Sequence, residues 1–127
     1  MKYANHNIIE FIGNLILTYP DRFVINIYCN SKKSANCFIT KFIKFFSNQN
    51  VNKIEMQDMI RFVNNNKELN IFKTTESIIG KGKRWSFALI EDKISIEVID
   101  NLIKPMCNFP ICLSLMLFNS SVIEDKE

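Results

Sequence analysis

Residues 87–92 read Phe87-Ala88-Leu89-Ile90-Glu91-Asp92, four apolar side chains in a row followed at once by two carboxylates. Such an uninterrupted apolar run is what a parallel strand covered on both faces looks like. In an open α/β sheet, the residues just past the carboxyl end of a strand reach the ligand crevice. One carboxylate there can hold a hydrated magnesium ion while the other orients a water. Two acids after a strand are also plain turn and helix-start residues, where negative charge suits the positive end of a helix.

A second run of the same kind, Phe23-Val24-Ile25-Asn26-Ile27-Tyr28, lies upstream. Before it, Ile8, Phe11, Ile12, Leu15, Ile16 and Tyr19 recur at helical spacing, Asn7 and Glu10 are spaced as a capping box, and Pro20 stops the run. After it, Ser34 is the expected cap of a helix with the apolar stripe Ala35, Phe38, Ile39, Phe42, Ile43 and Phe46. Lys33, Lys41 and Lys44 fall on the other side of that helix as a solvated face. Residues 54–57 fit strand or helix equally. The runs 59–63 and 69–73 flank an Asn-rich tract and read as a hairpin, because Asn tolerates left-handed backbone. A helix through the tract is the competing reading.

Past Glu91-Asp92, Ser95 is placed to cap a third helix carrying Ile96, Ile99, Leu102, Ile103 and Met106, and residues 111–118 form a further apolar run. Two strand-helix-strand units require parallel strands joined by crossovers. The expected fold is therefore a three-layer α/β sandwich with a mainly parallel sheet and an appended antiparallel hairpin. Residues 1–121 form one domain on this reading, and 122–127 form a charged tail expected to fray.

The chain has 127 residues, 47% of them hydrophobic, which is enough for a core without disulfides or metal. Its abundance of Asn, Ile and Lys is what AT-rich coding produces and says nothing of mechanism. The net charge of +3 permits an anionic partner without implying one. Cys29, Cys37, Cys107 and Cys112 have no zinc-like spacing and read as free thiols of an intracellular, soluble protein. The apolar stretch 8–17 is too short and too polar to cross a bilayer.

Residues 80–84, Gly80-Lys81-Gly82-Lys83-Arg84, have the glycines and charge of a phosphate cradle. They precede a strand, however, whereas a phosphate loop follows one and opens a helix, so a surface turn with solvated lysines fits as well. Trp85 can stack on a base or close the edge of the core. His6 is the only histidine, and no Gly-x-x-x-x-Gly-Lys-Ser/Thr segment occurs.

In element order the chain resembles the middle of the ATPase domain of viral large terminases, the DNA-packaging motors. The correspondence runs through residues 8–19, 23–30, 34–46 and 59–73, then Lys73-Thr74-Thr75-Glu76-Ser77, the loop 80–84, the strand closing in Glu91-Asp92, the helix to Pro105, and 115–121 ending in Ser120-Ser121. The resemblance implies a magnesium-site role for Glu91, a water-activating role for Asp92, and a coupling role for Ser120 and Ser121. It also implies nucleotide or DNA contact by Lys81, Lys83 and Arg84. The core would be P-loop-NTPase-like without its P-loop.

The sequence departs from the family where Glu-Asp replaces Asp-Glu and where Lys83-Arg84 replaces Arg-Gly. Residues 1–6 stand in the place of the phosphate loop without its glycines or lysine, and neither the strand before that loop nor the nuclease domain is expected. The resemblance thus implies a truncated, split or degenerate packaging ATPase. Mg and ATP would bind only if a phosphate loop came from elsewhere, and independent hydrolysis is not expected. Its partners would be double-stranded DNA and other packaging or viral proteins, with no membrane, in the nucleus or cytoplasm of a host cell. The alternative is a small non-catalytic α/β module binding nucleic acid or protein through the basic loop and Trp85.

Overall fold

A computed structural model of the chain describes residues 2–74, 84–107 and 114–123. Seven strands form one sheet: β1 (Lys2–Tyr3), β2 (Phe23–Tyr28), β3 (Asn52–Glu55), β4 (Met59–Asn64), β5 (Lys67–Phe72), β6 (Phe87–Glu91) and β7 (Ser114–Phe118). Their order is β1-β7-β6-β2-β5-β4-β3. The first five in that order run parallel, while β4 and β3 add antiparallel. The fold is the expected α/β sandwich with its appended hairpin.

The layers follow from chain handedness. The connections β1 to β2 and β2 to β5 step one way across the sheet, whereas β6 to β7 steps back. Right-handed crossovers then put α1 (Ile8–Thr18) and α2 (Lys32–Phe45) on one face and the 96–106 segment on the other. Side-chain alternation divides the core accordingly. Phe23, Ile25, Ile27, Leu69, Ile71, Phe87 and Leu89 pack under α1 and α2. Tyr28, Phe72, Trp85, Ala88 and Ile90 pack with Ile94, Ile99 and Ile103 on the opposite side. Gly13 lets α1 close on α2, since a Cβ there would overlap the Phe45 ring.

Local chemistry explains several differences from the sequence reading. Ser31 rather than Ser34 caps α2, accepting from the Ser34 N–H, and Ile43 of the expected apolar stripe is exposed. Asn7 makes no side-chain cap; its own N–H donates to Asn5 Oδ1. The ambiguous 54–57 stretch contributes to β3. The hairpin turns at Asn65, whose φ of 55° is left-handed.

Ser95 does cap the third helix, but only Ile96–Val98 is α-helical (α3). A π-helical turn over Ile99–Ile103 and a 3-10 turn over Lys104–Met106 follow. Pro105, which has no N–H to donate, falls in that last turn. Ile96, expected in the core, is 64% exposed. Cys29 and Cys37 are free, but Cys107 is disulfide-bonded, against the free-thiol expectation; Cys112 lies outside the described residues. Val122 ends a 3-10 turn and Ile123 is buried, while 124–127 lie outside the described residues. Among the described residues no helix is long and apolar enough to cross a membrane.

Candidate functional site

The carboxyl ends of β2 and β6 are neighbours whose outgoing connections leave to opposite faces, α2 to one and the 96–106 segment to the other. This divergence opens the crevice in which an α/β sheet binds ligands. Glu91 is the last residue of β6 and is only 1% exposed. Its Oε1 accepts the Asn30 backbone N–H at 2.9 Å, just past β2. The carboxylate thus ties the end of β6 to the approach into α2, near that helix's positive end.

Asp92 turns out to the rim. Its backbone N–H donates to the Phe118 carbonyl at 2.9 Å, and its Oδ2 accepts from Asn119 Nδ2 at 3.3 Å. Asn119 Oδ1 in turn accepts the Ser121 N–H at 3.0 Å and caps the 3-10 turn Ser120–Val122. The tertiary structure therefore brings Glu91, Asp92, Ser120 and Ser121 to one edge. Asn30 and Asn119 complete the cluster and were not read from the sequence. The signal they carry is the one Glu91 carries, a first polar residue past an apolar parallel strand.

Cys29 also ends β2. Burial above all, with Glu91 and Cys37 adding to it, pushes its thiol well up. It remains a neutral thiol here, and no nucleophile.

The strand expected to be missing before the phosphate-loop position exists as the two-residue β1, paired with β7. The turn of residues 4–7 then opens α1 on the same sheet edge as Glu91. Two of its amides, and the first amide of α1, are already engaged. The Ala4 N–H donates to the Leu117 carbonyl at 2.8 Å, the Asn7 N–H to Asn5 Oδ1 at 2.9 Å, and the Ile8 N–H to the Asn5 carbonyl at 3.1 Å. A phosphate cradle needs such amides free and convergent. The adjoining concavity of about 270 Å³ is lined by Tyr3, Ala4, Asn5, Asn7, Ile8, Phe11 and Met116, with no cation among them. Glu10 adds negative charge in the first turn of α1. Two carboxylates, Glu91 and Asp92, stand at the rim, and the described lining of the concavity beside residues 4–7 offers no cation to a phosphate.

Arg84 is exposed and lies before the amino end of β6. That strand alone spans roughly 13 Å from Phe87 to Glu91, so Arg84 stands away from the acidic rim. Lys81 and Lys83 lie outside the described residues. Trp85 is 2% exposed, with its indole N–H donating to the Ile103 carbonyl at 2.8 Å. It closes the core and offers no face to a base.

The α/β architecture has counterparts among solved structures. The comparisons are with large terminases. The ATPase domain of the Thermus phage P74-26 large terminase matches with a TM-score of 0.60 at 9% identity, over 93% of this chain and 57% of that one. The large terminase of a second thermophilic bacteriophage matches in one crystal form with a TM-score of 0.59 at 10% identity, over 87% of this chain and 29% of that one. That second phage's terminase in complex with ADP matches with a TM-score of 0.55 at 9% identity, over 87% and 28% of the two chains. This chain therefore has the fold of terminase ATPase domains and spans less than a third of the second phage's protein. No protein-family model and no curated protein matches the sequence.

Proposed function

We propose that this chain is a degenerate packaging-ATPase-like domain that does not hydrolyse ATP alone. The observation that supports this reading is the turn of residues 4–7 before α1, where the Ala4 and Asn7 amides are bonded inside the protein and no lysine or glycine stands. Without a phosphate cradle and its lysine, nothing in the described rim neutralises the β- and γ-phosphates. The engaged Oε1 of Glu91 points the same way, since the carboxylate in the magnesium-ligand position holds a backbone amide of the neighbouring strand's loop.

On this reading Glu91 and Asp92 are remnants of a magnesium and water-orienting pair, and Ser120 and Ser121 of a coupling element. Mg and ATP would require a phosphate loop supplied from elsewhere. Double-stranded DNA and other packaging proteins are the partners this reading assigns, with Lys81, Lys83 and Arg84 as candidate contacts. A phosphate-release assay and calorimetric titration of Mg-ATP into the purified chain should show neither turnover nor binding. Magnesium-dependent hydrolysis that disappears in Asp92→Ala would refute the proposal.

A further inference from the structure

The strand β3 is the outermost of the sheet on the hairpin side, and all four of its residues are exposed. Its inner edge pairs antiparallel with β4, Ile54 opposite Arg61 and Glu55 opposite Ile60. One step on, the Met56 N–H donates to the Met59 carbonyl at 2.9 Å. Backbone groups along an antiparallel strand alternate between its two sides. Asn52 and Ile54, in phase with Met56, therefore turn their amides and carbonyls toward β4. Lys53 and Glu55 turn theirs outward, to an edge that no described strand covers.

Side chains alternate as well. Lys53 and Glu55 share one face of the sheet, and Ile54, 44% exposed, lies on the other. Neither Lys53 nor Glu55 forms an ion pair among the described residues. A cation and an anion two residues apart, astride an apolar residue, make a strand that is its own complement when reversed.

We propose that β3 is a self-association edge, pairing antiparallel with β3 of a second copy of this chain. Only outward-turned residues can exchange backbone hydrogen bonds across that edge. The registers open to it therefore set Lys53 opposite Lys53, Glu55 opposite Glu55, or Lys53 opposite Glu55. The first two oppose like charges, which destabilises a strand pair. In the third, Lys53 meets the partner's Glu55, Glu55 meets the partner's Lys53, and the two-fold axis passes between Ile54 and the partner's Ile54. Ile54 there falls in a non-hydrogen-bonded pair, where side chains approach most closely. The contact is isologous and closes at a dimer. Lysine on an edge strand ordinarily discourages pairing; here Glu55 answers it in one register alone. A strand of four residues buries little area, so the dimer belongs to the weak, transient class. The inference rests on β3 and is independent of the packaging-ATPase reading.

The test is sedimentation velocity on the purified chain. From about 10 μM to about 1 mM it should show monomer and dimer in equilibrium, with the dimer populated toward the upper end. Lys53→Glu should weaken association at least about tenfold, because two attractive pairs become repulsive, and Glu55→Lys should do the same. An equimolar mixture of those two variants should regain the dimer, since each supplies the charge the other lacks. The combined exchange Lys53→Glu with Glu55→Lys should regain it too. Ile54→Asp, which sets carboxylates against each other on the axis, should abolish it. Lys104→Glu, the same charge change on the 96–106 segment, should leave it unaltered. A chain that stays monomeric throughout, single variants that associate like the parent, a mixture that remains monomeric, or a loss matched by Lys104→Glu would overturn the proposal.

Discussion

The Asn30 backbone N–H and Glu91 Oε1 lie 2.9 Å apart across the divergence of β2 and β6. The buried carboxylate that ends β6 is thereby joined to the turn before α2. Replacing Glu91 with Ala would leave a part-buried amide without its acceptor, at a cost of about 1–3 kcal/mol. Glu91→Gln keeps a side-chain oxygen and should lose less. Urea denaturation of the two variants measures the difference; equal destabilisation would show that the bond to Asn30 does not matter.

Trp85 holds the irregular 96–106 segment through its bond to the Ile103 carbonyl. Trp85→Phe keeps an aromatic ring in the core and removes the donor, so a loss of about 1–3 kcal/mol is expected. Emission from Trp85 should be blue-shifted in the folded protein and unchanged by added DNA. A red-shifted spectrum, or quenching on DNA addition, would contradict its burial.

Gly13 sits against the ring of Phe45, and that ring packs edge-on against Phe46 5.6 Å away. Gly13→Ala gains about 1 kcal/mol of helix propensity. It also forces the ring to move, and overpacking of this kind costs about 1–3 kcal/mol, so a net loss is expected. In a Phe45→Leu background the same substitution should become stabilising. Thermal melts of the four proteins in that cycle give the coupling directly.

Tyr28, the last residue of β2, and Cys29 just past it both have ionisation disfavoured by burial. In each case the folded-state pKa lies above the unfolded one, so the neutral form is held and its stability is fully present at lower pH. That stability declines as the unfolded thiol ionises above about pH 8.5 and the unfolded phenol above about pH 10. Urea midpoints should therefore fall on the alkaline side. Cys29→Ala should flatten the first part of that fall and Tyr28→Phe the second. A thiol reagent should label half-buried Cys37 and spare Cys29 in the folded protein.

Much of the architecture was legible because burial leaves a local pattern. The runs at 23–28 and 87–90 are apolar nearly throughout since both faces of a central parallel strand are covered. The hairpin was legible from an Asn that accepts left-handed backbone. Other elements left no such trace. β1 is two residues long, too short to show any period. Ile96 keeps helical spacing but faces solvent, because α3 gives way after Val98 to a π-helical turn that shifts the apolar face.

That acids would follow a buried parallel strand could be read from residue order, since side-chain order along a strand maps directly onto the sheet's rim. What those acids do depends on the folded chain. Glu91 meets an amide 61 residues away, Asp92 meets Asn119, and the Ala4 amide meets the Leu117 carbonyl of β7. Hydropathy and spacing report how deeply a residue is buried. A hydrogen-bond partner is set by which distant segments the fold places alongside, and no local pattern encodes that.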